Sequence, residues 1–126
     1  MDIRFLTLAE VVAIHADQVG RYGGATDIRD LPALLSAMAM PEAGIGEERF
    51  HAFPSEMAAA YAYHICLNHP FIDGNKRTGL ATALIFLRLN GITVSDADGQ
   101  LYEVMMGLAT GEVSKAQVAE ALATLA

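Results

Sequence analysis

The sequence predicts an all-α domain, a compact bundle of about six helices. Apolar residues recur at helical spacing between capping residues and Gly or Pro stops. Hydrophobic residues make up 53% of the chain and aromatics only 7%, with no tryptophan, so the apolar mass is mostly Ala, Leu, Ile, Val and Met, a mixture that favours closely packed helices. At 126 residues the chain can bury one real core but not two, so residues 1–126 form a single domain.

Each helix has its own signals. Thr7 with Glu10 is a capping-box pattern, and Leu8, Val11, Val12, His15 and Val19 recur at helical spacing until Arg21-Tyr22-Gly23-Gly24 breaks the run, giving a first helix over 8–22. Asp30 is an N-cap for a second over 31–40, with Pro32 tolerated in its first turn and Pro41 closing it. Residues 41–55, rich in Gly, Pro and charge, read as a loop or short flap. Ser55 and Glu56 open a third helix whose Ala, Tyr and Ile content lets it lie deep in the bundle. It ends near His69, because Pro70 disfavours helical geometry at the residue before it. A fourth begins at Asn75 or Lys76 and runs to Asn90, with Gly91 as its stop. An extended link over 92–95 leads to a fifth helix over 96–111, and Ser114 with Gln117 caps a last one over 115–126. There is no internal repeat, low-complexity tract or domain linker.

Charge and hydropathy exclude several classes. A net charge of -7 and a pI near 4.9 argue against direct nucleic-acid binding, which relies on many Lys and Arg contacts to phosphate. The single cysteine, Cys66, has no internal disulfide partner, and the N-terminus lacks the apolar core of a secretory signal, so the expected address is cytoplasmic. The most apolar stretch, over 80–89, falls well short of the roughly 20 residues that span a bilayer, so no membrane association is expected.

Against this oily background, the run from His69 to Gly79, "HPFIDGNKRTG", gathers a histidine, an aspartate, an asparagine and two adjacent cations at the head of the fourth helix. A helix N-terminus points unpaired N–H groups and the positive end of the helix dipole at whatever lies before it, which makes an anion site. Gly74 lets a ligand approach the backbone, and Asn75, Lys76 and Arg77 add side-chain donors. Asp73 beside phosphate oxygens suits Mg²⁺, which takes a carboxylate or two plus phosphates and waters. His69, at the end of the preceding helix, is positioned to take a proton from an incoming hydroxyl. Phe71 and Ile72 anchor the loop in the core. His15, His51 and His64 lack zinc-ligand spacing and are expected in structural or surface roles. Neither a Walker-type phosphate loop nor a complete dinucleotide glycine motif is present.

The run over 69–77 resembles the signature of the Fic/Doc family, His-x-Phe-x-(Asp/Glu)-(Gly/Ala)-Asn-(Gly/Lys)-Arg, and meets every fixed position. Lys76 is the variant of the Doc branch, where nucleotide-transferring Fic enzymes have glycine. "RYGG" after the first helix, "FLRLNG" at the end of the fourth and "ATGEVS" before the last extend the likeness along essentially the whole chain. The resemblance implies an all-helical fold with the motif joining two central helices. It further implies a toxin of a toxin–antitoxin pair that transfers the γ-phosphate of ATP to a threonine of elongation factor Tu and so halts translation. His69 would then be the general base and Asp73 the Mg²⁺ ligand. Gly74 and Asn75 would line the anion site, and Lys76 and Arg77 would hold the phosphates, in keeping with a chemistry that is mostly positioning and charge neutralisation.

Two other readings stand beside it: transfer of AMP to a protein hydroxyl by the same residues, and a non-catalytic helical module that binds a partner through an apolar groove. Lysine at Lys76 fills the room in which Fic enzymes seat the triphosphate tail, which favours the γ-phosphate. Some family members carry their own inhibitory helix with the pattern (Ser/Thr)-x-x-x-Glu-(Gly/Asn). No glutamate of this sequence is followed by Gly or Asn, so inhibition is expected from a separate antitoxin whose segment folds on binding into a groove over the site.

Overall fold

A computed structural model describes residues 2–126. Helix α1 (Leu8–Tyr22) starts as the sequence dictates: Thr7 Oγ1 accepts from the Glu10 N–H at 3.2 Å, and the Thr7 N–H donates to Glu10 Oε1 at 2.8 Å. Such a cap is worth about 1 kcal/mol. Glu10 also pairs with Arg4 at 2.6 Å, and that hydrogen bond does most to hold its carboxyl down at about 2. Helix α2 (Leu31–Ala39) is capped by Asp30, whose Oδ1 accepts from the Ala33 N–H at 3.0 Å. It ends one residue before the expected Met40, because the chain tightens into a 3₁₀ turn over Met40–Glu42 that carries the buried Pro41.

The expected flap is an ordered hairpin. Strands β1 (Gly44–Ile45) and β2 (Glu48–Arg49) pair antiparallel and form the only sheet among the described residues. Beyond them come α3 (Ser55–Asn68), α4 (Asn75–Leu89), α5 (Gln100–Thr110) and α6 (Lys115–Leu125). Six helices and a two-residue hairpin make the predicted all-α bundle, with the motif between its two central helices. The fifth helix starts four residues later than expected. Gly99 is its N-cap, and Asp96 stands outside the helix rather than being its first residue, taking the Gln100 and Leu101 N–H groups on its two carboxylate oxygens at 2.8 and 3.0 Å.

Helix α3 is the axis of the bundle and packs on α2, α4 and α6. Met57 through Ala62, with Ile65 and Cys66, are buried, so the helix is apolar nearly all round rather than striped. Tyr61 is fully buried and still satisfied: its hydroxyl accepts the Leu6 N–H at 3.0 Å, and burial pushes its pKa up to about 12. Its ring packs on Phe86 of α4 with centroids 5.2 Å apart. Burying each such side chain stabilises the fold by about 1.5–3 kcal/mol. Helices α3 and α4 meet closely at Gly79, where an added Cβ would stand 2.8 Å from the Ala62 carbonyl oxygen. At the far end of α4, the Asn90 carboxamide bonds both the N–H and the C=O of Arg4, tying the N-terminal segment to the bundle. Among the described residues no helix is long and apolar enough to cross a membrane.

Candidate functional site

The motif loop is held from both sides. Helix α3 ends at His69, which sits in the left-handed region (φ 47°, ψ 53°) and is the one non-glycine residue with positive φ among those described. That conformation costs about 1–2 kcal/mol and requires outside support. Arg29 supplies it, donating from Nε to the His69 carbonyl at 2.6 Å and from Nη2 to the Asn68 carbonyl at 3.1 Å. The Pro70 carbonyl accepts from the N–H groups of Arg29 and Asp30, and the Ile72 N–H donates to the Asp27 carbonyl. Residues 27–30 thus run along residues 69–72 and answer carbonyls that the end of α3 leaves open.

Inside the loop, the Asn75 carboxamide closes a small ring. Its Oδ1 accepts the Phe71 N–H at 3.0 Å and its Nδ2 donates to the Phe71 carbonyl at 2.9 Å. Phe71 is fully buried and stacks on His15 of α1, ring centroids 3.7 Å apart and planes 6° from parallel. His15, itself 1% exposed, donates from Nε2 to the Asp73 carbonyl at 2.8 Å. The Asp73 carboxylate meanwhile accepts the Ala25 N–H on Oδ2 at 2.8 Å. This contact needs glycine at Gly24, whose φ is +118° and where a Cβ would fall 2.8 Å from Asp73 Cβ.

These supports frame a cleft of about 280 Å³ in front of α4. Asp73, Gly74, Asn75, Lys76 and Arg77 line it together with the end of α1 and Tyr102 of α5. Helix α4 starts at Asn75 without a side-chain cap, so its first-turn N–H groups face the cleft unanswered by the protein. The Arg77 guanidinium lies over the Tyr22 ring at 3.7 Å and the Tyr102 ring at 4.3 Å, a sandwich that fixes its plane. The Lys76 charge partly offsets the rise that burial imposes on the Cys66 thiol of α3.

Five of the six residues singled out in the sequence share the cleft, and His69 stands outside its lining with an exposed side chain. Asn75 lines the cleft with its carboxamide engaged by Phe71, which leaves one Nδ2–H beside the backbone N–H for a ligand. Sequence reasoning missed the parts played here by Arg29, by His15, for which it expected only a structural or surface role, and by Tyr102. Their partners lie 40, 58 and 25 positions away, and no local pattern marks such pairs. "RYGG" was the one usable signal for Tyr22 and Gly24.

The residues fit a phosphate–Mg²⁺ ligand. No group of three or more His, Cys, Asp or Glu side chains among the described residues is arranged for a metal, so a cation here would rest on Asp73 Oδ1, phosphate oxygens and water, as Mg²⁺ prefers. The uncapped turn of α4, Lys76 and the clamped Arg77 supply the anion side.

Comparison with known proteins finds relatives along most of the chain. The family model described as Fic/DOC family matches residues 5–87. The chain is 34% identical over 123 residues to "Protein kinase doc" of Escherichia phage P1, covering 98% of this chain and 96% of that protein. It is 35% identical over 109 residues to "Toxin Doc" of Mycolicibacterium smegmatis, covering 83% of this chain and 82% of that one.

Proposed function

This chain belongs to the Fic/Doc family, and on that premise we propose that it is the toxin of a toxin–antitoxin pair, a kinase-type transferase that moves the γ-phosphate of ATP to a Thr or Ser hydroxyl of a translation factor, elongation factor Tu first among candidates. The observation that carries the reading is the cleft before α4, with Asp73, an uncapped helix start, Lys76 and an aromatic-clamped Arg77 converging on one anion-sized space. The names of the two relatives support the kinase and toxin parts of it.

The residues divide the work. His69 takes the proton of the target hydroxyl as its oxygen bonds to the γ-phosphorus and the bond to the β–γ bridging oxygen breaks. Its backbone geometry, fixed by Arg29, sets where the imidazole projects from the end of α3. Lys76 and Arg77 hold the phosphates, and the first-turn N–H groups of α4 add to the same field. Asp73 would hold Mg²⁺, its carboxylate aimed by Ala25 and its backbone by His15. Bound ATP with Mg²⁺ supplies the transferable phosphoryl group and neutralises the charge on the phosphates. The volume of Lys76, the second residue of the uncapped turn, favours presentation of the γ-phosphate over the α-phosphate.

The chain is not expected to restrain itself, since no glutamate is followed by Gly or Asn. A separately encoded antitoxin laid over the site would do so, and the cytoplasm, where translation factors are found, is the proposed address.

Incubation with Mg²⁺, a translating lysate and ATP labelled at the γ- or the α-phosphate tests this. Label from the γ-position alone should appear on a host protein and vanish with His69→Ala. Label from the α-position would mean AMP transfer, and growth arrest that survives His69→Ala would mean a non-catalytic binding module.

A further inference from the structure

A second and larger cleft, of about 680 Å³, opens near the start of α3, at the opposite end from His69. It lies between the first turns of α3, the face of α6 and the residues just after the hairpin, and no residue lines both clefts. From Ala59, in its wall, to His69 is about 15 Å along the helix.

Lys115, the first residue of α6, projects into this cleft. Its ammonium donates to His51 Nε2 at 3.0 Å and to His64 Nε2 at 3.3 Å. An ammonium has no lone pair, so both imidazoles accept on Nε2, are neutral, and carry their proton on Nδ1. Burial, and after it the lysine charge, pushes both imidazoles down, His64 to about 4, which keeps them neutral at physiological pH. No carboxylate stands within ion-pair distance of Lys115: the ion pairs among the described residues are Arg4–Glu10 and Arg21–Asp17. The cluster therefore carries one positive charge without a counter-ion, half-buried in a cleft wall, where an unpaired charge is costly.

A second observation points to the same place. His51 lines the cleft and is 7% exposed, and its Nδ1–H meets no acceptor at full hydrogen-bonding geometry. The Met40 backbone offers it only a weak hydrogen bond, which favours the charged ring and is the smallest of the influences on its titration. Apart from Ser55, the rest of the inner wall is hydrocarbon, chiefly Ala59, Ala119 and Ala123 with Met40 and Phe50. Glu56 and Glu120 stand exposed at the rim. One cation suits one acid group and methyl walls suit an apolar body, while the two rim carboxylates, exposed and screened by water, oppose a polyanion such as a nucleotide far more than a single acid group. The volume falls within the roughly 300–1,000 Å³ of small-molecule sites.

We propose that this cleft binds an organic monocarboxylate, its acid group on Lys115 and its hydrocarbon body against the alanine faces of α3 and α6. It is a site distinct from the motif and independent of the phosphotransfer reading.

Calorimetric titration of the full chain with sodium octanoate tests it, with octanol and octylamine as controls of equal length. Octanoate should bind one per chain, and either control at least about tenfold more weakly, since only the acid forms a charge-assisted hydrogen bond. Lys115→Gln should weaken octanoate by a similar factor while Lys115→Arg and His69→Ala retain it. On the wild type, ring signals of His51 and His64 should shift on adding octanoate and those of His15 should not. Equal binding of octanol and octanoate, unchanged affinity in a folded Lys115→Gln variant, or absence of both heat and ring shifts at millimolar octanoate would each overturn the proposal. Should Lys115→Gln fail to fold, the wild-type comparison of acid with alcohol and the ring shifts decide alone.

Discussion

The Asn75 carboxamide answers both polar groups of the Phe71 backbone, and Phe71 in turn is stacked on the imidazole that holds the Asp73 carbonyl. One side chain therefore fixes the loop on which the proposed metal ligand stands. Asn75→Ala leaves two partly buried backbone groups unpartnered, and should lower stability by about 1–3 kcal/mol, read as a fall in the urea midpoint. ATP-dependent labelling should fall further than stability does, because Asp73 loses its aim. If labelling persists at wild-type level in the folded variant, Asn75 does not position the site. At this scale the residues of the motif were legible, since His69, Asp73, Gly74, Lys76 and Arg77 lie within nine positions and their types carry the chemistry. What completes the site was not. Arg29, His15 and Tyr102 are ordinary residues in the sequence, and only the folding of distant segments together gives them their parts.

The helices were legible where the chain answers its own end groups locally. The capping boxes at Thr7 and Ser114 and the Asp30 cap sit within three residues of what they bond, so their signals survive in the sequence. The start of α5 was misplaced because Asp96 satisfies that helix from outside it, and an acidic residue before a helix reads the same as one in its first turn. The hairpin over 44–49 escaped notice because its four strand residues are all exposed and show no alternation. Gly79 lies inside α4, where glycine is ordinarily a weak helix former. In the fold it is the point of closest approach to α3, facing the Ala62 carbonyl. Alanine there gains up to about 1 kcal/mol in helix propensity, yet its Cβ meets backbone that has nowhere to yield. Gly79→Ala should therefore lower stability, by about 1–3 kcal/mol as overpacking does. A raised denaturation midpoint would show that α4 can slide without loss.

Across the whole molecule, two electrostatic effects of opposite sign meet as the pH falls. Net charge moves from -7 at neutrality toward zero near pH 4.9, which relieves self-repulsion and favours the folded state. Against this stands the Lys115 cluster, where His51 after the hairpin, His64 on α3 and the ammonium of α6 share one space, with Tyr63 at its side and Glu56 the acid that acts on His51. An imidazole whose folded pKa lies below its unfolded value takes up protons more readily when the chain unfolds. Its neutral-form stability is intact above about pH 6.5 and is lost as the pH falls toward about 4. The dispersed surface charges act through water and are largely screened beyond roughly 8–10 Å, whereas the cluster's charges would stand 3.0–3.3 Å apart and half-buried. The cluster should win. Between pH 7.5 and 5.0 the urea midpoint of the wild type should fall, in a range still above the window of about 4.5 to 2 in which Glu10 loses the stability it draws from Arg4. His64→Gln keeps an acceptor for Lys115 but takes up no proton, so its midpoint should fall markedly less or rise. Parallel decline in the two proteins would place the acid sensitivity elsewhere and remove the cluster as its cause.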